Sequence, residues 1–131
     1  MEHALDGSLV DSLHSVFPVG TPPAQPITSC MCGECEEVDQ LLGGRTWTDV
    51  AADFPHYCHD TFALLNLDAQ LYYLPAYIAY ELRSPGYLAG VSVESAFQRG
   101  DLPTTSLTTE QHDACRTWAE TGGWVLDERL K

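Results

Sequence analysis

Apolar residues recur every three or four positions along most of this chain, and that spacing predicts helices. Leu5, Leu9, Val10, Leu13, Val16 and Phe17 mark an amphipathic helix over residues 3–17, which Pro18 stops. Cys35, Val38, Leu41 and Leu42 give a short helix closed by Gly43-Gly44. Thr46 and Asp49 form a capping box ahead of Trp47, Val50, Ala51 and Phe54, one stripe at i, i+3, i+4 and i+7. Pro55 then starts a helix carrying Tyr57, Cys58, Phe62, Leu64 and Leu65, with Asn66 as its C-terminal cap. The run from Leu67 to Leu82 is the most apolar, and Pro75 inside it predicts a short helix, a kink and a second helix to Arg83. Ser84-Pro85-Gly86 is a turn, residues 91–98 form a short helix or a strand, and a loop follows to Thr105. Thr108 and Gln111 form another capping box, stapled by Leu107, for a helix that buries Ala114, Cys115, Trp118 and Ala119 and ends at Gly122-Gly123. The tail, residues 124–131, docks as a final turn.

No stretch alternates with the two-residue period of a strand, and the one Asp-Gly pair, Asp6-Gly7, lies in a helical pattern. The expected fold is all-α, a single compact domain of about six or seven short helices. Residues 18–29 interrupt the helices with Pro18, Pro22, Pro23 and Pro26, which makes them an extended, stiff connector. Residues 1–17 are the N-terminal helix and 30–131 the helical core, and 131 residues suit one domain.

Charge changes the picture next. Nineteen acidic against six basic residues leave a net charge of −13, and no Lys or Arg precedes Arg45. Such a field repels nucleic-acid phosphates and anionic membranes and attracts cationic partners. There is no basic, apolar leader and no long apolar run, so the expectation is a cytoplasmic protein without a membrane span. In that reducing compartment clustered cysteines are metal ligands or redox thiols.

Three of the five cysteines fall within Cys30-Met31-Cys32-Gly33-Glu34-Cys35. Cys32 and Cys35 have the C-x-x-C spacing of a zinc knuckle, and Cys30 joins them from an extended approach. Cys58 is the expected fourth ligand, with His56 and His59 as alternates, and Cys115 is left over in the core. A structural zinc on Cys30, Cys32, Cys35 and Cys58 would tether the N-terminal segment to the helical core and add to the folding free energy. An iron–sulfur cluster on the four thiolates and a Cys32/Cys35 redox pair are the rival chemistries. His56, His59 and Asp60 would serve an open, hydrolytic zinc, but H-x-x-H lacks the glutamate of H-E-x-x-H. No Walker loop, nucleophile elbow or Rossmann glycine pattern occurs.

The segments Ile27-Thr28-Ser29-Cys30-Met31-Cys32-Gly33-Glu34-Cys35, Gly44-Arg45-Thr46-Trp47, Tyr72-Tyr73-Leu74-Pro75-Ala76-Tyr77 and Leu107-Thr108-Thr109-Glu110-Gln111 resemble a family of small uncharacterised bacterial proteins. Its members often carry His where Cys58 stands, so the resemblance implies a helical fold and a site of three cysteines and one histidine, or of four cysteines. It implies no activity. The functional expectation is a non-enzymatic, acidic, zinc-stabilised module that binds another protein with a basic surface: an inhibitor, immunity or adaptor protein, with a DNA-mimic inhibitor as the sharper form. The alternatives are a zinc-dependent hydrolase and a thiol-based redox sensor.

Overall fold

The computed structural model describes residues 10–29, 32–58, 61–83, 93, 94, 96 and 106–122. The expected start of the first helix, Cys30, His59, Asp60, the turn at Ser84-Pro85-Gly86, the loop 99–105 and the tail lie outside these residues. The fold is mostly helical, and its one strand-like feature among the described residues is an isolated bridge between Thr28 and Leu65. Helix α1 covers 10–16, α2 Gly33–Leu42, α3 Trp47–Ala52, α4 Leu67–Arg83 and α5 Thr109–Gly122. Two 3-10 turns, His56–Cys58 and Phe62–Leu64, stand where one regular helix from Pro55 to Asn66 is expected.

Helix α4 is the axis. Eleven of its seventeen residues are buried, among them Tyr73, Leu74, Pro75, Ala76, Tyr77 and Ile78. A helix apolar on nearly every side must be enclosed by the others. Pro75 does not divide it: one helix runs from Leu67 to Arg83 where two are expected. Proline removes one hydrogen bond, the one Leu71 C=O would accept, at a cost of about 3 kcal/mol. Burial of the residues on both sides of it offsets that loss.

The tyrosines of α4 connect the axis to its surroundings through their hydroxyls, as amphipathic rings at a core edge do. The Tyr73 hydroxyl lies 2.8 Å from Leu42 O and 2.7 Å from Arg45 O and donates to them where α2 ends. The Tyr72 hydroxyl accepts from Trp47 N at 3.2 Å. Tyr77 meets Thr61 Oγ1 at 3.2 Å, and Tyr80 meets His56 Nδ1 at 2.7 Å. Phe54 stacks on Tyr80 and turns its edge to Tyr77, so the partly buried end of the Trp47 stripe also rests on α4.

Thr46 caps α3, and the Thr108–Gln111 capping box forms in both directions. Asp49 N donates to Thr46 Oγ1 at 3.2 Å. Gln111 N donates to Thr108 Oγ1 and Thr108 N to Gln111 Oε1, at 3.1 and 3.0 Å. Gln111 Nε2 also donates to Val16 O, which fastens α5 to the end of α1. Ala114, Cys115, Trp118 and Ala119 are buried as the periodicity requires. Asn66 opens a helix rather than closing one: its Oδ1 accepts from Ala69 N at 3.0 Å, an N-cap on α4.

The proline connector is laid down as an extended strap. Ile27 is fully buried. Its N–H donates to Asp39 Oδ1 on α2 at 2.9 Å, and its carbonyl accepts from Asn66 N at 2.8 Å. Gln25 Nε2 donates to Asp39 Oδ2, Asn66 Nδ2 to Pro26 O, and Ser29 N to Leu64 O. Further upstream, Trp47 Nε1 donates to Pro18 O at 3.0 Å. Gly43 allows the same closeness: a Cβ there would stand 2.2 Å from Gln25 Nε2 and 2.5 Å from Asp39 O.

Two substitutions test the strap. Asp39→Ala leaves the Ile27 amide without its acceptor, and Asn66→Ala removes both the α4 cap and the bond to Pro26. Each is expected to lower stability by about 1–3 kcal/mol in urea unfolding with reductant present. Unchanged midpoints for both variants would mean that the connector is held elsewhere.

Candidate cysteine site

Cys32 is the N-cap of α2, in extended conformation at φ −78° and ψ 167°. It is exposed, and its Sγ accepts from Cys35 N at 3.4 Å. The sulfur thus does the work usually given to a serine or aspartate oxygen at this position. Cys35, three residues on, is fully buried and disulfide-bonded. Its carbonyl accepts from Thr28 Oγ1 at 3.5 Å, so the strap reaches the first turn of α2.

Cys58 is a buried thiol. It ends a 3-10 turn, and does not lie in the first turn of a regular helix as expected. Its N–H donates to Pro55 O, and its carbonyl accepts from Thr61 N and from Thr61 Oγ1 at 2.8 Å. That turn packs against α2, so Cys58 is carried to the helix that holds Cys32 and Cys35. His56, its expected alternate, is exposed and engaged with the Tyr80 hydroxyl.

Among the described residues no group of three or more His, Cys, Asp or Glu could hold a metal ion. The expected set of Cys30, Cys32, Cys35 and Cys58 is not described as a whole, because Cys30 lies outside those residues, as do His59 and Asp60. The chemistry of the donors sets a condition. A tetrahedral zinc site takes thiolates. A disulfide sulfur is not one, so zinc on this set requires Cys35 to be reduced first.

Cys115 is the leftover cysteine in the sense the sequence suggests. It is fully buried on α5, and burial pushes its thiol up to about 12. Burial also raises the Tyr73 hydroxyl above the ordinary tyrosine range.

The C-x-x-C spacing joins Cys32 and Cys35 on one helix, whereas the contact between α2 and the turn of Cys58, and the polar residues that hold the strap to α2, carry no such local signal. Asp39, a polar position on the helix of Val38 and Leu41, holds Gln25 and Ile27. The one local signal was an aspartate between Val38 and Gln40 on a helix, which marks no partner fourteen residues away. The chain matches no family model, no curated protein and no solved structure.

A buried thiol that ionises only near 12 has a defined effect on stability. In the unfolded chain Cys115 ionises near 9.0. Its contribution is therefore complete below that pH and is lost as pH rises towards the folded value. Cys115→Ala should show a shallower loss of stability between neutral pH and pH about 10.5 than the parent protein, read from denaturant midpoints. The slope is the readout, because the lost side-chain volume lowers stability at every pH.

Proposed function

We propose that this chain is a non-enzymatic, acidic protein-interaction module for a partner with a basic surface, acting as an inhibitor, immunity or adaptor protein. The observation that supports this reading is where the positive charges go. All three described basic side chains donate to the protein itself. Arg45 donates to the carbonyls of Leu41, Asp49 and Asp53 at 3.2, 3.1 and 3.3 Å. Arg83 donates to Ala51 O, and Arg116 pairs with Asp113. Meanwhile Glu34, Glu36 and Glu37 stand exposed on α2, a helix with no basic residue.

That face adjoins the cysteine site, so its carboxylates are presented from a fixed backbone. Screening confines their field to about 8 Å at physiological salt, which means that a partner must dock rather than merely be attracted. In the sharper form of this reading the carboxylates imitate a phosphate backbone and the partner is a nucleic-acid-binding protein. In the reduced chain a zinc ion on Cys30, Cys32, Cys35 and Cys58 is structural and leaves the α2 face to the partner. Repulsion between like charges disfavours direct binding to nucleic acid.

A lysine-rich peptide is the probe. Its affinity should fall steeply with salt. Glu34→Lys with Glu37→Lys should weaken binding by about tenfold at low salt, more than the charge-matched pair Glu110→Lys with Glu120→Lys. Equal losses from the two pairs would reduce the acidity to a solubilising field and end the proposal. Separately, protein reduced and held without oxygen should carry about one zinc per chain by elemental analysis, and Cys58→Ser should lose it.

A further inference from the structure

We propose that the cleft where the end of α1 meets the starts of α4 and α5 binds a small organic monocation, an apolar body with one ammonium or guanidinium head, and that Asp68 is its counter-ion. This goes beyond the interaction reading and does not rest on it. Three segments build the cleft. Asp68, Leu71 and Tyr72 lie at i, i+3 and i+4 in the first turns of α4, so they share one face of that helix. Leu107 and Gln111 flank the cap of α5, and Phe17 comes from the end of α1. The bond from Gln111 Nε2 to Val16 O holds the last two segments together. The cavity between them has a volume of about 300 Å³. That is the small end of the roughly 300–1,000 Å³ of ligand sites.

The walls decide what the cleft takes. Phe17, Leu71 and Leu107 give it apolar surface. Its amide and phenol are already engaged: Gln111 Oε1 accepts from Thr108 N, and the Tyr72 hydroxyl accepts from Trp47 N. Amides at both helix starts are engaged too, Ala69 N with Asn66 Oδ1 and Gln111 N with Thr108 Oγ1, so those donors are not offered to an anion. Asp68 differs. Its carboxylate is exposed and, among the described residues, has no hydrogen bond or ion pair. None of the described lining residues is basic. A cation therefore finds a carboxylate with no internal partner to displace, beside an aromatic lining that also favours positive charge. The apolar body of the ligand covers the wall of Phe17, Leu71 and Leu107 and removes it from water.

Benzylammonium chloride is the probe, added to the whole protein and followed by the backbone amide shifts of an NMR titration. The shifts should concentrate on Phe17, Leu71, Leu107 and Gln111. Neutral benzyl alcohol should bind about fivefold more weakly, as suits the loss of one exposed ion pair. Methylammonium, which keeps the head and lacks the ring, should bind at least about tenfold more weakly, and phenylacetate should not bind. Asp68→Asn should weaken benzylammonium about fivefold, whereas Glu120→Gln, an exposed carboxylate further along α5, should leave it unchanged. The amide spectrum of each variant reports directly whether it is folded. The proposal is overturned if benzylammonium does not bind, if its shifts spread over the acidic surface, or if benzyl alcohol binds as tightly. Equal losses from Asp68→Asn and Glu120→Gln overturn it as well. The peptide test reads Glu34 and Glu37 on α2 and this one reads Asp68 on α4, so the two proposals fail separately.

Discussion

Ile27 is the residue through which the front of this protein is joined to its centre. Its side chain is fully buried, its amide is bonded to Asp39 on α2, and its carbonyl to the residue that caps α4. Burying an isoleucine contributes about 1.5–3 kcal/mol, and each of the hydrogen bonds about 0.5–1.5. Those terms act together on one residue that sits between two helices. The strap it anchors continues to the carbonyl of Cys35 through Thr28. The N-terminal third is therefore fastened by packing and hydrogen bonds before any sulfur takes part.

The described cysteines then separate by environment. Cys115 lies in the core, where its charged form is strongly disfavoured. Cys58 is buried under the face that α2 presents to its turn, and Cys35 is buried in a disulfide. Cys32 alone stands at the surface, as the cap of a helix with an otherwise acidic start. An exposed sulfur and exposed carboxylates thus share the start of one short helix.

What could be read from the sequence follows from the range of each interaction. The caps at Thr46 and Thr108 were legible because donor and acceptor lie three residues apart, and the stripe on α5 because its period is fixed by the backbone. Asn66 was legible as a cap but not as to which end, since asparagine serves both ends of helices and the turns before it are too short to show a period. Pro75 misled because its cost is local while its compensation is tertiary. The connector was legible as an extended segment from its prolines, but its anchors were not: Gln25 and Asp39 are fourteen residues apart, Pro26 and Asn66 forty, and neither pair has a spacing that signals the other. At the cysteines, composition gave the cluster, and only the fold distinguished a surface thiol from buried ones.

Gln111 has a consequence for how the chain is made. The side chain that closes the cap of α5 also holds the carbonyl of Val16 at the end of α1, ninety-five positions earlier. On a ribosome adding about 5–20 residues per second, the first helix emerges roughly 5–20 s before the group that completes it. Trp47, which meets His14 and Pro18, is synthesised long before that group. Vectorial synthesis therefore separates α1 from the side chain that fastens its end, and that one contact closes only when α5 is made.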